Sequence, residues 1–131
     1  TAALVTPAAS YAHRAFGGLT EQQRNDKFRS LAKTAEIGFQ VMNLADAVAT
    51  WSCQKKVNCD STLPLSGRHS SAATIFGAHA ALGLIHYGLM QLNLKDHPHA
   101  AYVMSVVSFL VAVTATTINA NDSMTSSRVG R

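Results

Sequence analysis

The sequence predicts an all-α protein, a small integral membrane helical bundle of about three transmembrane helices with an N-terminal polar helix, and three observations carry that prediction. Charged residues make up only 14% of the 131 residues, against about 25% in soluble globular chains. No Asp, Glu, Lys or Arg occurs from Ser70 to Leu94, or again across "AAYVMSVVSFLVAVTATTINAN", and each run can cross a hydrocarbon core of about 30 Å as a helix. In all three helical stretches the polar residues recur at spacings of three and four, which gathers them on one face. A soluble fold would have to hide both uncharged runs behind polar helix, and a chain of 131 residues holds too little of it.

Residues 1–19 form an Ala/Gly-rich arm. "TAALVTPAASYAHR" has small residues at Ser10 and Ala12 of the kind a leader peptidase accepts. Pro7 interrupts its apolar part and no basic region precedes it, so it reads as an arm left after processing or truncation. Residues 20–53 read as a polar helix running into the first membrane helix. Thr20 is placed to cap it, and over Glu21 to Lys33 the only sizeable apolar side chains are Phe28 and Leu31, so this half lies in water or across an interface.

Residues 54–70 are a loop, dense in the Asn, Asp, Ser, Gly and Pro that break regular structure. Cys53 and Cys59 enclose "QKKVN", too wide a gap for a C-x-x-C pair and too few thiols for zinc. A disulfide-closed loop would contribute about 2 kcal/mol in an oxidising compartment on the chain-entropy model. Two free thiols are the other reading. Residues 71–94 and 100–120 are the second and third membrane helices, joined by "KDHPH", and residues 121–131 are a flexible tail.

The first membrane helix is the instructive one. Gln40, Asn43, Asp46 and Thr50 line one face of it. On an insertion scale, Asp at a helix centre costs about 2.5–3.5 kcal/mol, while each of Ile37, Phe39, Val41, Leu44 and Val48 returns about 0.3–0.6. The segment therefore spans only beside helices that satisfy its polar groups. Partners are visible: His79, Gly83, His86, Met90 and Asn93 share a face of the second membrane helix, where Ala73 and Gly77 add a small-residue surface. Ala101, Ser105, Ser108, Ala112, Ala115 and Asn119 share a face of the third. The expected intramembrane network is Gln40, Asn43, Asp46, Thr50, His79, His86 and Asn119, with a hydrogen bond from Asp46 to His79 or to His86.

"GFQVMNLADAVATWSC", a loop containing "LPLSG", and two apolar helices ending in "TTINAN" together resemble the DUF5658-like small bacterial membrane proteins. Those show an N-x-x-D-x-x-x-T helix, a Glu-x-Asn-Pro-Leu loop, a helix with a basic residue and a third helix ending in Asn. The matching residues are Asn43, Asp46, Thr50, Pro64, Leu65 and Asn119, within Glu36 to Asn121. This chain departs at Ser61-Thr62-Leu63, where the family has Glu-x-Asn, and at His79, where a lysine would be expected. The resemblance implies the fold; the family has no assigned activity.

No Ser/His/Asp arrangement, phosphate-cradling Gly loop or paired-carboxylate site is present in the pattern, and no enzyme is expected. The net charge of +4 is spread thinly without a basic patch, which argues against nucleic acid. "DHPH" reads as a chain reversal and not as a metal site. Trp51 and Tyr102 suit a membrane-interface aromatic belt. Arg14, Arg24, Lys27, Arg29 and Lys33 favour an N-terminus on the cytoplasmic or matrix side, blunted by Lys55, Lys56 and Arg68 in the Cys loop.

The expected partners are the lipid bilayer and other membrane protein subunits, in a bacterial inner membrane or an organellar membrane of bacterial origin. The leading functional expectation is a non-catalytic subunit that stabilises a larger membrane assembly, without a cofactor. Two alternatives stand beside it: a haem- or chlorophyll-binding subunit with His79 or His86 as axial ligand, and an oligomeric ion or solute conduit using Asp46 and Asn43. His79 and His86 stand seven residues apart, about 10 Å along a helix, so they cannot share one metal ion.

Overall fold

The computed structural model describes residues 17–57, 59 and 71–128. The expected arm up to residue 16 and most of the loop, with Pro64 and Leu65, lie outside them. The chain is all-α, with three helices among the described residues: α1 (Glu21–Gln54), α2 (Ala72–Asp96) and α3 (Pro98–Thr125). A two-residue antiparallel ladder pairs β1 (Lys56–Val57) with β2 (Ser127–Arg128).

Each helix begins where its sequence allows. Gly18 takes φ 78°, a left-handed conformation open to glycine, and turns the chain into Thr20. The Thr20 hydroxyl accepts from Gln23 N (3.2 Å) while the Gln23 side chain accepts from Thr20 N (3.0 Å), a reciprocal capping box. Ser71 caps α2 through Thr74 N. A single residue, His97, separates α2 from α3, with Pro98 opening α3 at a position that needs no amide donor. That tight reversal sets α2 and α3 antiparallel, and α1 lies against both.

α1 has 34 residues and at 1.5 Å per residue is about 51 Å long. Glu21, Gln22, Gln23 and Arg24 in its first turn are exposed. Where it reaches that reversal, the Arg29 guanidinium donates to the carbonyls of Leu94 (3.1 Å) and Lys95 (2.9 Å), satisfying the C-terminal end of α2. Phe28 packs on His99 and Tyr102, and Ala32, Met90, Leu94 and Ala101 form the small apolar cluster beside it.

Along the rest of its length the bundle is inverted relative to a water-soluble one. α1 buries Glu36, Asn43, Asp46 and Thr50, whereas Ile37 and Val41 are 67% and 60% exposed and Leu44 and Val48 share that outer stripe. The same holds for α2, with His79 and His86 inside and Leu84, Ile85 and Leu92 outside. α3 follows, with Ser105 and Asn119 inside and Val103, Val107 and Leu110 outside. Two helices, α2 and α3, are long and apolar enough to cross a membrane.

At the far end, the sulfurs of Cys53 and Cys59 lie at bonding distance, with their Cα atoms 5.3 Å apart. Trp51 packs edge-on against Phe76, and the Lys55 ammonium lies 3.2 Å over the Trp51 ring. α3 does not stop at residue 120 but continues to Thr125, and the segment after it is not wholly a free tail. Ser52 and Ser123 share a hydroxyl hydrogen bond of 2.7 Å, the Lys56 ammonium donates to the Ser123 carbonyl, and β2 pairs with β1 beyond. Neither Gly nor Pro occurs between Pro98 and Thr125 to end the helix earlier. If the cysteines are joined, intact mass before reduction should be lower by two hydrogens than after it; equal masses would reject the bridge.

Candidate functional site

The inward face of α1 is a ladder of polar side chains at positions 36, 40, 43, 46 and 50, and each rung meets α2, α3 or both. Asp46 is the hub. Its Oδ2 lies 3.1 Å from His79 Nε2, and its Oδ1 accepts from Asn119 Nδ2 at 2.8 Å. Asn119 Nδ2 also reaches Thr50 Oγ1 at 3.4 Å. His79 Nδ1 faces the Ile75 carbonyl at 2.9 Å, an acceptor only, so Nδ1 carries a proton. The Nε2–Oδ2 contact therefore needs a second proton, whichever atom holds it, and the Asp46–His79 pair is net neutral in either form.

Glu36 is the second centre. Its Oε1 accepts from Gln40 Nε2 at 2.7 Å, and its Oε2 accepts from Ser105 Oγ at 3.3 Å. His86 Nδ1 stands 2.7 Å from the same Oε2, an ion-pair distance, but off the line along which a ring N–H donates. Neither ring nitrogen of His86 completes a directed hydrogen bond, and the ring stacks at 4.0 Å on Phe39. The side chain of His86 is nonetheless only 9% exposed.

Between these centres α1 and α2 approach closely at Gly83. Gln40 Nε2 donates to the Gly83 carbonyl (2.9 Å) and Asn43 Nδ2 to the His79 carbonyl (2.7 Å). Two side-chain amides thus grip the backbone of a neighbouring helix, which requires that no Cβ intervene: one at Gly83 would stand 2.5 Å from Gln40 Oε1. On the α3 side, Thr116 Oγ1 donates to the Met42 carbonyl at 3.2 Å.

A cavity of about 320 Å³ opens between α2 and α3 with α1 as its floor. Leu82 and His86 of α2 and Val107, Ser108, Val111, Ala112 and Ala115 of α3 form its walls, with Phe39, Asn43 and Asp46 below. The walls are apolar apart from His86 and Ser108, which come from opposite sides.

The structure brings together every member of the predicted network: Gln40, Asn43, Asp46, Thr50, His79, His86 and Asn119. Of the two histidines proposed for Asp46, His79 holds it and His86 sits with Glu36. Both nitrogens of His79 face oxygens, so in this arrangement it has none left for a cofactor; His86 does. Glu36 was not among the expected site residues, although its place four residues before Gln40, on the same stripe, signals it. Ala73 and Gly77 do not join the internal seam but are exposed on the outer side of α2. Among the described residues no group of three or more His, Cys, Asp or Glu side chains is placed to hold a metal ion. In comparisons with known protein families, curated proteins and solved structures, the chain matches none.

Proposed function

We propose that this chain is a non-catalytic integral membrane subunit whose three helices all span, and which packs into a larger membrane assembly and stabilises it. The observation that carries the reading is the inverted bundle: carboxylates, amides and imidazoles meet inside while Ile37, Val41, Leu44, Leu84 and Leu110 face outward. In water that arrangement would discard the hydrophobic driving force; in hydrocarbon it is the stable one, because unsatisfied polar groups cannot face lipid. α1 then spans despite Asp46 and Glu36, since α2 and α3 supply the partners that it lacks alone.

Assembly is supported by the outer face of α2. Ala73, Gly77, Ala81 and Gly88 are exposed there, and a Cβ at Gly77 or Gly88 would meet nothing within 4 Å. Small residues turned outward give another helix room for close backbone approach. The resemblance to DUF5658-like proteins agrees with this reading, since Asn43, Asp46 and Thr50 lie in the ladder and Asn119 of α3 bonds to two of its rungs. A bacterial inner membrane, or an organellar membrane of bacterial origin, is the setting we assign.

Mild-detergent extraction followed by native mass spectrometry tests it. The chain should run in species heavier than its own 13.9 kDa. Gly77→Leu together with Gly88→Leu should return it to the free chain without loss of helix content. Wild-type chain running alone, or an assembly indifferent to both leucines, would sink the proposal. An absorption spectrum of the same fraction separates the haem or chlorophyll alternative, which would rest on His86.

A further inference from the structure

The two imidazoles of the ladder are secured differently, and the difference is one of protons. At His79 the outer nitrogen, Nδ1, is held to the Ile75 carbonyl, so the Asp46–His79 pair keeps both its protons and no net charge. At His86 the nitrogen that faces the carboxylate is Nδ1, 2.7 Å from Glu36 Oε2. Two lone pairs repel at that distance, so one proton belongs to the contact. The outer nitrogen, Nε2, is buried and meets neither an acceptor that would hold a proton on it nor a donor that would hold its lone pair. With Nε2 protonated the Glu36–His86 pair is neutral. With Nε2 bare it carries one negative charge, wherever the shared proton sits. The side chains that contact the pair from the other elements bring no charge: Phe39 and Gln40 of α1 and Ser105 of α3. Asp46, which borders the same cavity as His86, is engaged by His79 and Asn119.

We propose that the Glu36–His86 pair binds and releases one proton, and that this proton latches α2 to the other two helices. In the protonated form, imidazole and carboxylate hold α2 against α1 with no net charge. Loss of the proton leaves an uncompensated carboxylate in the membrane interior, a cost that separating the helices relieves. Neither ring nitrogen has accessible surface, so the proton leaves only as α2 draws away from Glu36, which couples its release to opening. Acid therefore favours the closed bundle, and stability falls as pH rises. The inference rests on the membrane setting proposed above but not on assembly into a larger complex.

The test unfolds the purified full chain with sodium dodecyl sulfate in mixed micelles, between about pH 5 and 8, where imidazoles change charge. Trp51 is the single tryptophan and packs on Phe76 of α2, so its fluorescence follows the separation of α1 from α2. The wild-type unfolding constant should rise with pH by up to about tenfold per unit, the slope of one proton. Replacing the exposed His97 and His99 by Gln should leave that slope in place. Glu36→Gln should remove it, and the double variant Glu36→Gln with His86→Phe keeps the test sound if an unpaired His86 unfolds the bundle. In spectra of 15N-histidine-labelled protein, the His86 signals should move over the same range while those of His79 stay fixed. Flotation with phosphatidylcholine vesicles checks the membrane setting separately, so a chain that inserts yet shows a flat profile counts against the latch alone. A flat wild-type profile, or a slope that survives in the double variant, would overturn the proposal.

Discussion

Replacing Asp46 by Leu is expected to cost about 3–5 kcal/mol of bundle stability, as when one partner of a buried pair is removed. The change strips the nearer acceptor from Asn119 Nδ2, leaving the longer contact to Thr50 Oγ1, and removes the counter-group from His79 Nε2, with both side chains still buried. Insertion should not suffer, because Leu enters hydrocarbon more readily than Asp by several kcal/mol. The outcome to look for is opposite movement of two readouts: membrane integration kept or improved, and resistance to denaturing detergent reduced. The triple change Asp46→Leu, His79→Phe, Asn119→Leu should regain most of the loss, since replacing a whole buried polar cluster by apolar groups is often neutral. A single Asp46→Leu variant as resistant as wild type would show that the ladder does not hold the helices together.

Gly83→Ala should be the next most damaging change, at about 1–3 kcal/mol, the cost of overpacking a close contact. The new methyl would stand 2.5 Å from Gln40 Oε1 and 3.2 Å from Asn43 Nδ2. Both amides are committed to carbonyls of α2, so they cannot swing aside without breaking those bonds. Ala otherwise favours helix by about 1 kcal/mol over Gly, so Gly88→Ala, made where nothing is near, should be neutral or stabilising. Detergent-denaturation midpoints compare the two directly, and equal midpoints would remove the close approach from the account.

The helices were legible because their signals are local. Two uncharged runs, a cap at Thr20, and a Pro-centred reversal at His97-Pro98 each depend on neighbours in sequence, and the structure places them within a few residues of expectation. The common face of Gln40, Asn43, Asp46 and Thr50 was legible too, since helical periodicity alone aligns it. The end of α3 was missed because what holds it is remote in sequence. Ser52, Lys56 and the β1 strand secure Ser123 and β2 from 67 or more residues away, beyond the reach of any local pattern.

The sequence by itself determined that three amphipathic helices would form, and that their polar faces had to find one another, because polar spacing and the absence of charge follow from residue identity. Only the tertiary structure decided which groups pair: Asp46 with His79 and Asn119, Glu36 with Gln40 and Ser105 beside His86. Partner choice depends on the relative height and rotation of helices set by Gly83, the one-residue reversal and the Arg29 contact with α2. The cavity belongs to the same class, since its lining comes from all three helices and no single helix determines it.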